Sequence, residues 1–397
     1  MKKYLLVALM FISVLGIGIF SSHAVNVSGD SKGITENPPY TPDPVYYMAE
    51  DEEVNYEVYK ELFDQTFPTT SLFIDLPSVN YTYSGGLFEE DQPYIDEFVD
   101  DQGVVKTGLY IPETGDVTVD FDLENSGYYN VKIYYYTVEG RSAAIQRGIK
   151  INGKYPFIEA RNISLSRVWM DSFNVSEERE SGRNDKKPQQ IEVRLWTEET
   201  LRDTRGYYHD PYHFYFDKGK NSLTLVSQRE PIVIAAIELY QSETIPTYEE
   251  VLLEYQKQNL QKVNNVMVKV QAEESYQKSS PTLSPIANFS SYKIEPYEKF
   301  MVRYNTIGGE NWRVAGDWIS WQVEVPEDGL YLITFKALQN FNRGIASSRT
   351  LYINGRIPFE EAKRINFSYS NDWQNVTLGN DEGEPYYFYL TKGVNEI

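Results

Sequence analysis

At 397 residues, with 41% hydrophobic and 15% aromatic side chains, the chain has room for two or three domains and ample material for their cores. It carries no cysteine, 33 tyrosines and a net charge of −21. That balance argues against a nucleic-acid partner, whose phosphates require a basic face, and against an anionic membrane surface.

The chain opens with Lys2 and Lys3, an apolar run over 4–20, and the small-residue segment Ser22-His23-Ala24. This pattern predicts a signal peptide cleaved after Ala24, and so an exported, extracellular or cell-surface bacterial protein. The alternative is an uncleaved anchor, because the run approaches the roughly 20 residues that span a bilayer. Residues 25–47 are polar, contain Pro38, Pro39, Pro42 and Pro44, and read as a disordered leader. Val54, Val58 and Leu62 recur at helical spacing and predict a helix over 50–66, within a 48–68 segment ended by Pro68.

From 69 to 245 the pattern turns strand-like. Val119, Phe121 and Leu123 alternate, strands are predicted over 129–136 and 148–151, and two more over 223–226 and 233–240. A linker over 246–264 holds a second helix, 247–259, with Thr247 and Glu250 as a capping box behind Pro246. Strands resume over 266–271, 318–325, 330–338 and 349–353 within a last domain, 265–397. Many short strands with regular turn signals predict a mostly β chain of two antiparallel sandwiches.

The two sandwiches share an internal repeat. Residues 127–160 lie on 329–362 without a gap at an offset of 202, with 12 identities in 34 positions. Among these are Ile151-Asn152-Gly153, Pro156-Phe157 and Glu159-Ala160, facing Ile353-Asn354-Gly355, Pro358-Phe359 and Glu361-Ala362. Residues 210–223 lie on 384–397 at an offset of 174, so the first copy holds 202 − 174 = 28 extra residues, expected within 176–210 as a hairpin or surface excursion. The second copy stops where the strand 223–226 would begin, and is read as an incomplete sandwich of a longer protein.

In the second copy Ala272-Glu273, Gly316-Asp317-Trp318, Val325-Pro326, Tyr352-Ile353-Asn354-Gly355, Trp373 and Gly393-x-Asn395 follow in order. This succession resembles carbohydrate-binding modules of families 6 and 35, in the galactose-binding-domain-like superfamily of jelly-roll sandwiches. The tandem arrangement, the linker helix and the Ile-Asn-Gly-x-x-Pro-Phe-x-Glu-Ala element resemble something narrower. They are similar to the N-terminal half of large extracellular solute-binding proteins of bacterial sugar ABC transporters. The resemblance implies a non-catalytic carbohydrate-binding function, with an oligo- or polysaccharide ligand and a membrane permease as partner. The alternatives are the accessory region of a secreted polysaccharide-degrading enzyme, or purely structural sandwiches.

For the sugar, the resemblance implies Trp373, with Trp169 as its first-copy counterpart. A flat ring covers the C–H face of a pyranose while amides take its rim. Tyr369, Asn371, Asn340 and Arg343 are expected to gather at the same loop end. The alternative reading makes both tryptophans core residues. Arg141 and Arg147 recur as Arg343 and Arg349, and an ion pair with Glu159 or Glu361 bracing the Ile-Asn-Gly turn is their expected use. The resemblance also implies a structural calcium in the second sandwich with Glu273 among its ligands. No catalytic constellation is present in the sequence: no nucleophile elbow, phosphate loop or selectable carboxylate pair. His209 and His213 stand four apart, but Pro211 between them rules out a helical metal pair.

Overall fold

Val, Ile and Tyr alternate through most of the first repeat. In the computed structural model, which describes residues 54–86, 91–341 and 343–397, that alternation becomes sheet. These residues fall within one compact unit, Glu53–Ile397. The expected export signal and leader lie outside the described residues.

A helical turn, α1 (Tyr56–Tyr59), opens the first repeat. In chain order there follow β1 (Leu72–Asp75), β2 (Tyr81–Ser84), β3 (Tyr94–Val99), β4 (Val105–Ile111), β5 (Asp116–Leu123), β6 (Gly127–Tyr136) and β7 (Ile145–Ile151). Then come β8 (Ile163–Leu165), β9 (Val168–Asp171), β10 (Gln190–Val193), β11 (Trp196–Thr200), β12 (His213–Phe216), β13 (Gly219–Arg229) and β14 (Ile232–Tyr240). One sheet runs β11-β6-β14-β4-β3, with β12 also on β6 and β1 also on β14; the other runs β2-β5-β13-β7-β8. Every pair is antiparallel, and inward residues of both sheets, among them Ile133, Tyr135, Val117, Ile149 and Leu225, form one buried cluster.

Helix α2 (Tyr248–Lys257) opens the second repeat, with the Thr247/Glu250 capping box formed on both sides. Its strands are β15 (Gln277–Lys278), β16 (Ile286–Ala287), β17 (Tyr304–Thr306), β18 (Ile319–Ser320), β19 (Gln322–Val325), β20 (Gly329–Tyr331) and β21 (Thr334–Ala337). The last are β22 (Ser347–Arg349), β23 (Ile365–Phe367), β24 (Gln374–Thr377), β25 (Phe388–Leu390) and β26 (Gly393–Glu396). The fold is mostly β throughout, as the alternation predicts.

The repeat is structural as well as sequential. Ile145↔Leu165 and Arg147↔Ile163 recur at the same offset as Ser347↔Phe367 and Arg349↔Ile365. Asn152 and Asn354 adopt φ of 50° and 51°, and the following glycines 81° and 78°, the left-handed turn that Asn-Gly favours. The repeated Asn of Lys-Gly-x-Asn is buried and closes that turn from the neighbouring strand. Asn152 Nδ2 donates to Asn221 Oδ1, and Asn354 Nδ2 to Asn395 Oδ1, both at 3.1 Å.

The two helices belong to the repeat too. The first N–H of α1, on Tyr56, donates to Glu159 Oε2 at 3.0 Å, and that of α2, on Tyr248, to Glu361 Oε2 at 2.8 Å. A carboxylate beside a helix N-terminus is stabilising, since it accepts an N–H that has no partner in the helix. The tyrosine rings then pack on the repeated Phe, with centroids 4.9 Å apart for Tyr56–Phe157 and for Tyr248–Phe359. Each helix is therefore a lid on its own sandwich. The expected Arg–Glu brace is not formed: both glutamates are taken by helix N-termini, while Arg147 donates to the carbonyls of Arg229 and Glu230.

Three further expectations need correction. Among the described residues the helix expected over 50–66 is the single turn α1. Phe63 leaves it to stack on Tyr215 at 4.1 Å, and the Thr66 carbonyl accepts from the Tyr128 N–H. No strand forms over 266–271, for want of a partner strand beside it. The range that holds the extra residues of the first repeat also begins before 176 and ends before 210. Strand β11 on β6 (Thr197↔Tyr135) matches β24 on β21 (Gln374↔Ala337) at an offset of 177. So 202 − 177 = 25 of the 28 fall between Leu165 and Trp196.

Those residues build the β9–β10 hairpin, and it joins the repeats. The sheet β10-β9-β15-β18 adds this hairpin to the edge strand of the second repeat. At the seam Lys278 Nζ donates to Asp171 Oδ2 at 2.7 Å, with side chains 0% and 5% exposed. Burial pulls the Lys278 ammonium below its usual range, against the opposing pull of Asp171. Removing one member of such a pair strands a buried charge. Asp171→Ala is expected to cost about 3–5 kcal/mol in urea unfolding, and adding Lys278→Met to recover most of it. A loss well below that range would mean that the seam does not exclude water.

Candidate functional site

The loop ends of the two sandwiches are built from equivalent positions and filled differently. In the first repeat Tyr135 on β6 donates through its hydroxyl to Glu199 Oε2 at 3.0 Å, and the Ser166 N–H donates to the same oxygen at 2.9 Å. Loss of water pushes the Glu199 carboxyl above its usual range. Beside them Arg167, 3% exposed, donates to Glu192, to Glu230 Oε2 at 3.0 Å and to the carbonyls of Ala143 and Val138. Gly140 lets Glu230 approach, since a Cβ there would lie 2.1 Å from its Oε2. This end is closed by a satisfied polar network.

In the second repeat the offset of 202 puts Ala337 at the place of Tyr135 and Tyr369 at that of Arg167, and the offset of 177 puts Val376 at that of Glu199. With these shorter or outward-turned side chains the space stays open. A groove of about 510 Å³ remains between β21–β24 and the end of β23, lined by Ala337, Phe367, Tyr369, Gln374, Asn375 and Val376. The Ser370 N–H donates to the Gln339 carbonyl at 2.8 Å, tying together the two loops that flank it. The half-buried ring of Tyr369 borders the groove, and its hydroxyl donates to Asn371 Oδ1 at 2.7 Å. Gln374 and Asn375 are exposed and bring amides to the rim.

The sequence-expected residues therefore divide. Tyr369 and Asn371 are brought together. Trp373 is half-buried with its indole N–H donating to Ser290 Oγ at 3.3 Å; Asn340 and Arg343 are exposed on the loop after β21. None of these three lines the groove. Trp169 is only 8% exposed, facing Lys278 across the β9–β15 pair, so it has no open face for a sugar. It is a seam residue because the extra hairpin of the first repeat carries it. Sequence reasoning missed Gln374, Asn375 and Asn366, although a Gln-Asn pair directly after Trp373 was a visible signal.

Glu273 is 2% exposed, and its Oε2 has no hydrogen-bond partner. Burial, with Glu274 and Asp185 adding repulsion against the pull of Arg179, pushes its carboxyl up to about 7. Calcium takes six to eight oxygens. Among the described residues no three His, Cys, Asp or Glu side chains converge on one point, and Asp185 is engaged by Arg179 and Arg303. The residues present do not make up a calcium shell around Glu273. His213 packs against Tyr56, whose hydroxyl accepts the His213 main-chain N–H at 2.9 Å and lies 3.5 Å from its ring Nδ1.

No family model and no curated protein matches the chain. Among solved structures it is similar to a Podospora anserina GH26-CBM35 β-(1,4)-mannanase (10% identity, TM-score 0.25, 45% of this chain and 29% of that one). It is also similar to the CBM35 from Cellvibrio japonicus Abf62 (13%, 0.24, 44% and 95%). A family 35 carbohydrate binding module from Clostridium thermocellum is another neighbour (9%, 0.24, 44% and 99%). The chain thus spans under a third of the enzyme and nearly all of each isolated module. At such scores the likeness assigns this chain no ligand.

The buried Glu273 has a measurable consequence. Its folded pKa lies above the usual 4.5, so the folded state keeps a proton that the unfolded state releases. Stability should therefore fall as pH rises from about 4.5 to about 7, by at most about 1.4 kcal/mol per unit. Glu273→Gln should flatten that part of the profile when unfolding is followed across the range. An unchanged slope would mean that Glu273 is solvated.

Proposed function

We propose that this chain is a non-catalytic carbohydrate-binding protein whose second repeat receives an oligosaccharide in the open groove beside Tyr369. The observation that carries the reading is the contrast between equivalent loop ends. One is filled by the buried Arg167–Glu230 pair and by the Tyr135–Glu199 contact beside it, and the other is left open with an aromatic ring and exposed amides. A ring against a sugar's C–H face and amides toward its hydroxyls are the pairing that a neutral, hydroxylated ligand requires. The groove's lining brings no carboxylate pair, which suits holding a glycan rather than cutting it.

The finer reading rests on the sequence resemblance. On it the protein is exported, its signal peptide is cleaved after Ala24, and it forms the N-terminal part of the solute-binding component of a bacterial sugar ABC transporter, with a permease as partner. Trp373, Asn371, Asn340 and Arg343 belong to this proposal as an outer contact zone on the same loops.

Binding of the full chain to a panel of plant and microbial glycans tests the proposal. Against the best ligand, Tyr369→Ala should weaken binding by about 5- to 150-fold, the equivalent of 1–3 kcal/mol for a stacked ring. Trp373→Ala should have a smaller effect, and neither should move the unfolding midpoint by much. Retained affinity in Tyr369→Ala would place the ligand elsewhere, and the absence of any glycan ligand would leave the sandwiches structural.

A further inference from the structure

The sheet that joins the repeats gathers five side chains on one of its faces. In register, Gln190 on β10 lies opposite Asp171 on β9, and Lys278 on β15 lies between Trp169 on β9 and Ile319 on β18. Asp171 and Trp169 share that face, because side chains two apart on a strand point the same way. Trp169 and Ile319 are both buried, so apolar walls stand on either side of the lysine. The chain has no cysteine, so no disulfide can staple this seam.

The groups inside this pocket are arranged for more than an ion pair. An ammonium has three N–H donors. Among the described residues, that of Lys278 has one acceptor, Asp171 Oδ2 at 2.7 Å. Burial pulls the ammonium below its usual range against the attraction of Asp171, and Lys187 adds repulsion. A lysine so desolvated gives up a proton readily, and the neutral amine is a nucleophile. The second carboxylate oxygen, Asp171 Oδ1, accepts from Gln190 Nε2 at 2.5 Å, and Gln190 Oε1 is buried without a hydrogen-bond partner. Amine, carboxyl group and oxygen-holding donor are thus kept together out of water, the proximity that makes a condensation intramolecular.

We infer that Lys278 and Asp171 condense after folding into an isopeptide amide, a covalent link between the two repeats. The ammonium first passes one proton to Asp171 Oδ2, leaving a neutral amine beside a carboxylic acid. Nζ then attacks Cγ, and the charge that develops on Oδ1 is held by Gln190 Nε2. A second proton moves from Nζ to Oδ2, Oδ1 re-forms the carbonyl, and the Cγ–Oδ2 bond breaks to release one water. One proton stays on Nζ, and no oxidant or cofactor enters. The product replaces two buried charges by one neutral amide, whose carbonyl keeps the Gln190 hydrogen bond. It also ties together positions 107 apart in the chain, which restricts the unfolded state as any such cross-link does. The pocket exists only once the chain has folded, so the ion pair precedes the amide, and the urea comparison concerns the ion pair. This inference does not depend on a glycan ligand.

The intact mass of the full chain, measured on newly synthesised protein and again after incubation, tests it. Loss of one water should bring the mass about 18 Da below that of the unmodified chain. Trypsin should then yield one branched peptide that joins residues 168–179 to 270–293. Lys278→Arg keeps a cation beside Asp171 and should hold its full mass throughout. Gln190→Leu should slow the loss by about tenfold or more, and an unchanged rate would overturn the role given to Gln190. Full mass in the incubated native chain, or the same loss in Lys278→Arg, overturns the inference as a whole.

Discussion

The buried Asp171–Lys278 pair is the interaction on which the arrangement of the two repeats turns. It lies where a hairpin present only in the first repeat adds itself to the sheet edge of the second. A lysine this dry is tolerable only with its carboxylate in place, so the seam is specified by chemistry as well as by apolar contact. A second ionic cluster supports it: Arg303 binds Asp185 at 2.6 Å and Glu298 at 2.6 Å, and the Val302 carbonyl accepts the Asp185 N–H. Residues 166–195 thus do two things at once. They close the loop end of the sandwich they come from, through Arg167 and Glu192, and they bind the neighbouring one.

That division explains how one duplicated scaffold yields two unlike ends. The joints common to both repeats are those the backbone needs: the Asn-Gly turn, the Asn that closes it, the helix held by a glutamate, and the tyrosine–phenylalanine contact beneath it. The positions that differ are few. Arg167 against Tyr369, Tyr135 against Ala337 and Glu199 against Val376 exchange a filled, charged interior for an open groove. Filling is coupled to the extra hairpin, because Glu192 on β10 is one of the two carboxylate partners of Arg167. A repeat without the hairpin has no such partner, and its loop end stays free.

Much of this was legible in the sequence. The ungapped offset of 202 predicted equivalent strands and turns, and the turn residues and capping box occupy the places their types demand. What was not legible depended on distant partners. Glu159 meets the helix 103 residues before it, so its recurrence suggested a local ion pair with arginine instead. The helical spacing of Val54, Val58 and Leu62 was real, but Phe63 and Phe67 gain more by packing on Tyr215 and Tyr128 than by continuing one exposed helix. The extra residues were placed too late although Trp196, Thr200 and Leu201 match Trp373, Thr377 and Leu378 at an offset of 177; with the pairing register of β11 and β24 this makes Trp196, not Trp169, the counterpart of Trp373. Tyr369 lines the groove, whereas Trp373, chosen for its ring, does not and donates its indole N–H to Ser290.

The central claim is that the open end of the second repeat, and not the closed end of the first, is where this protein meets a sugar. The most direct measurement is a crystal structure of the full chain with the oligosaccharide that binds it best. The account predicts sugar density against the Tyr369 ring, with hydroxyls toward Gln374 and Asn375, and the Arg167 network undisturbed. Ordered sugar at the first repeat's loop end, or on the sheet faces with the Tyr369 groove empty, would contradict it.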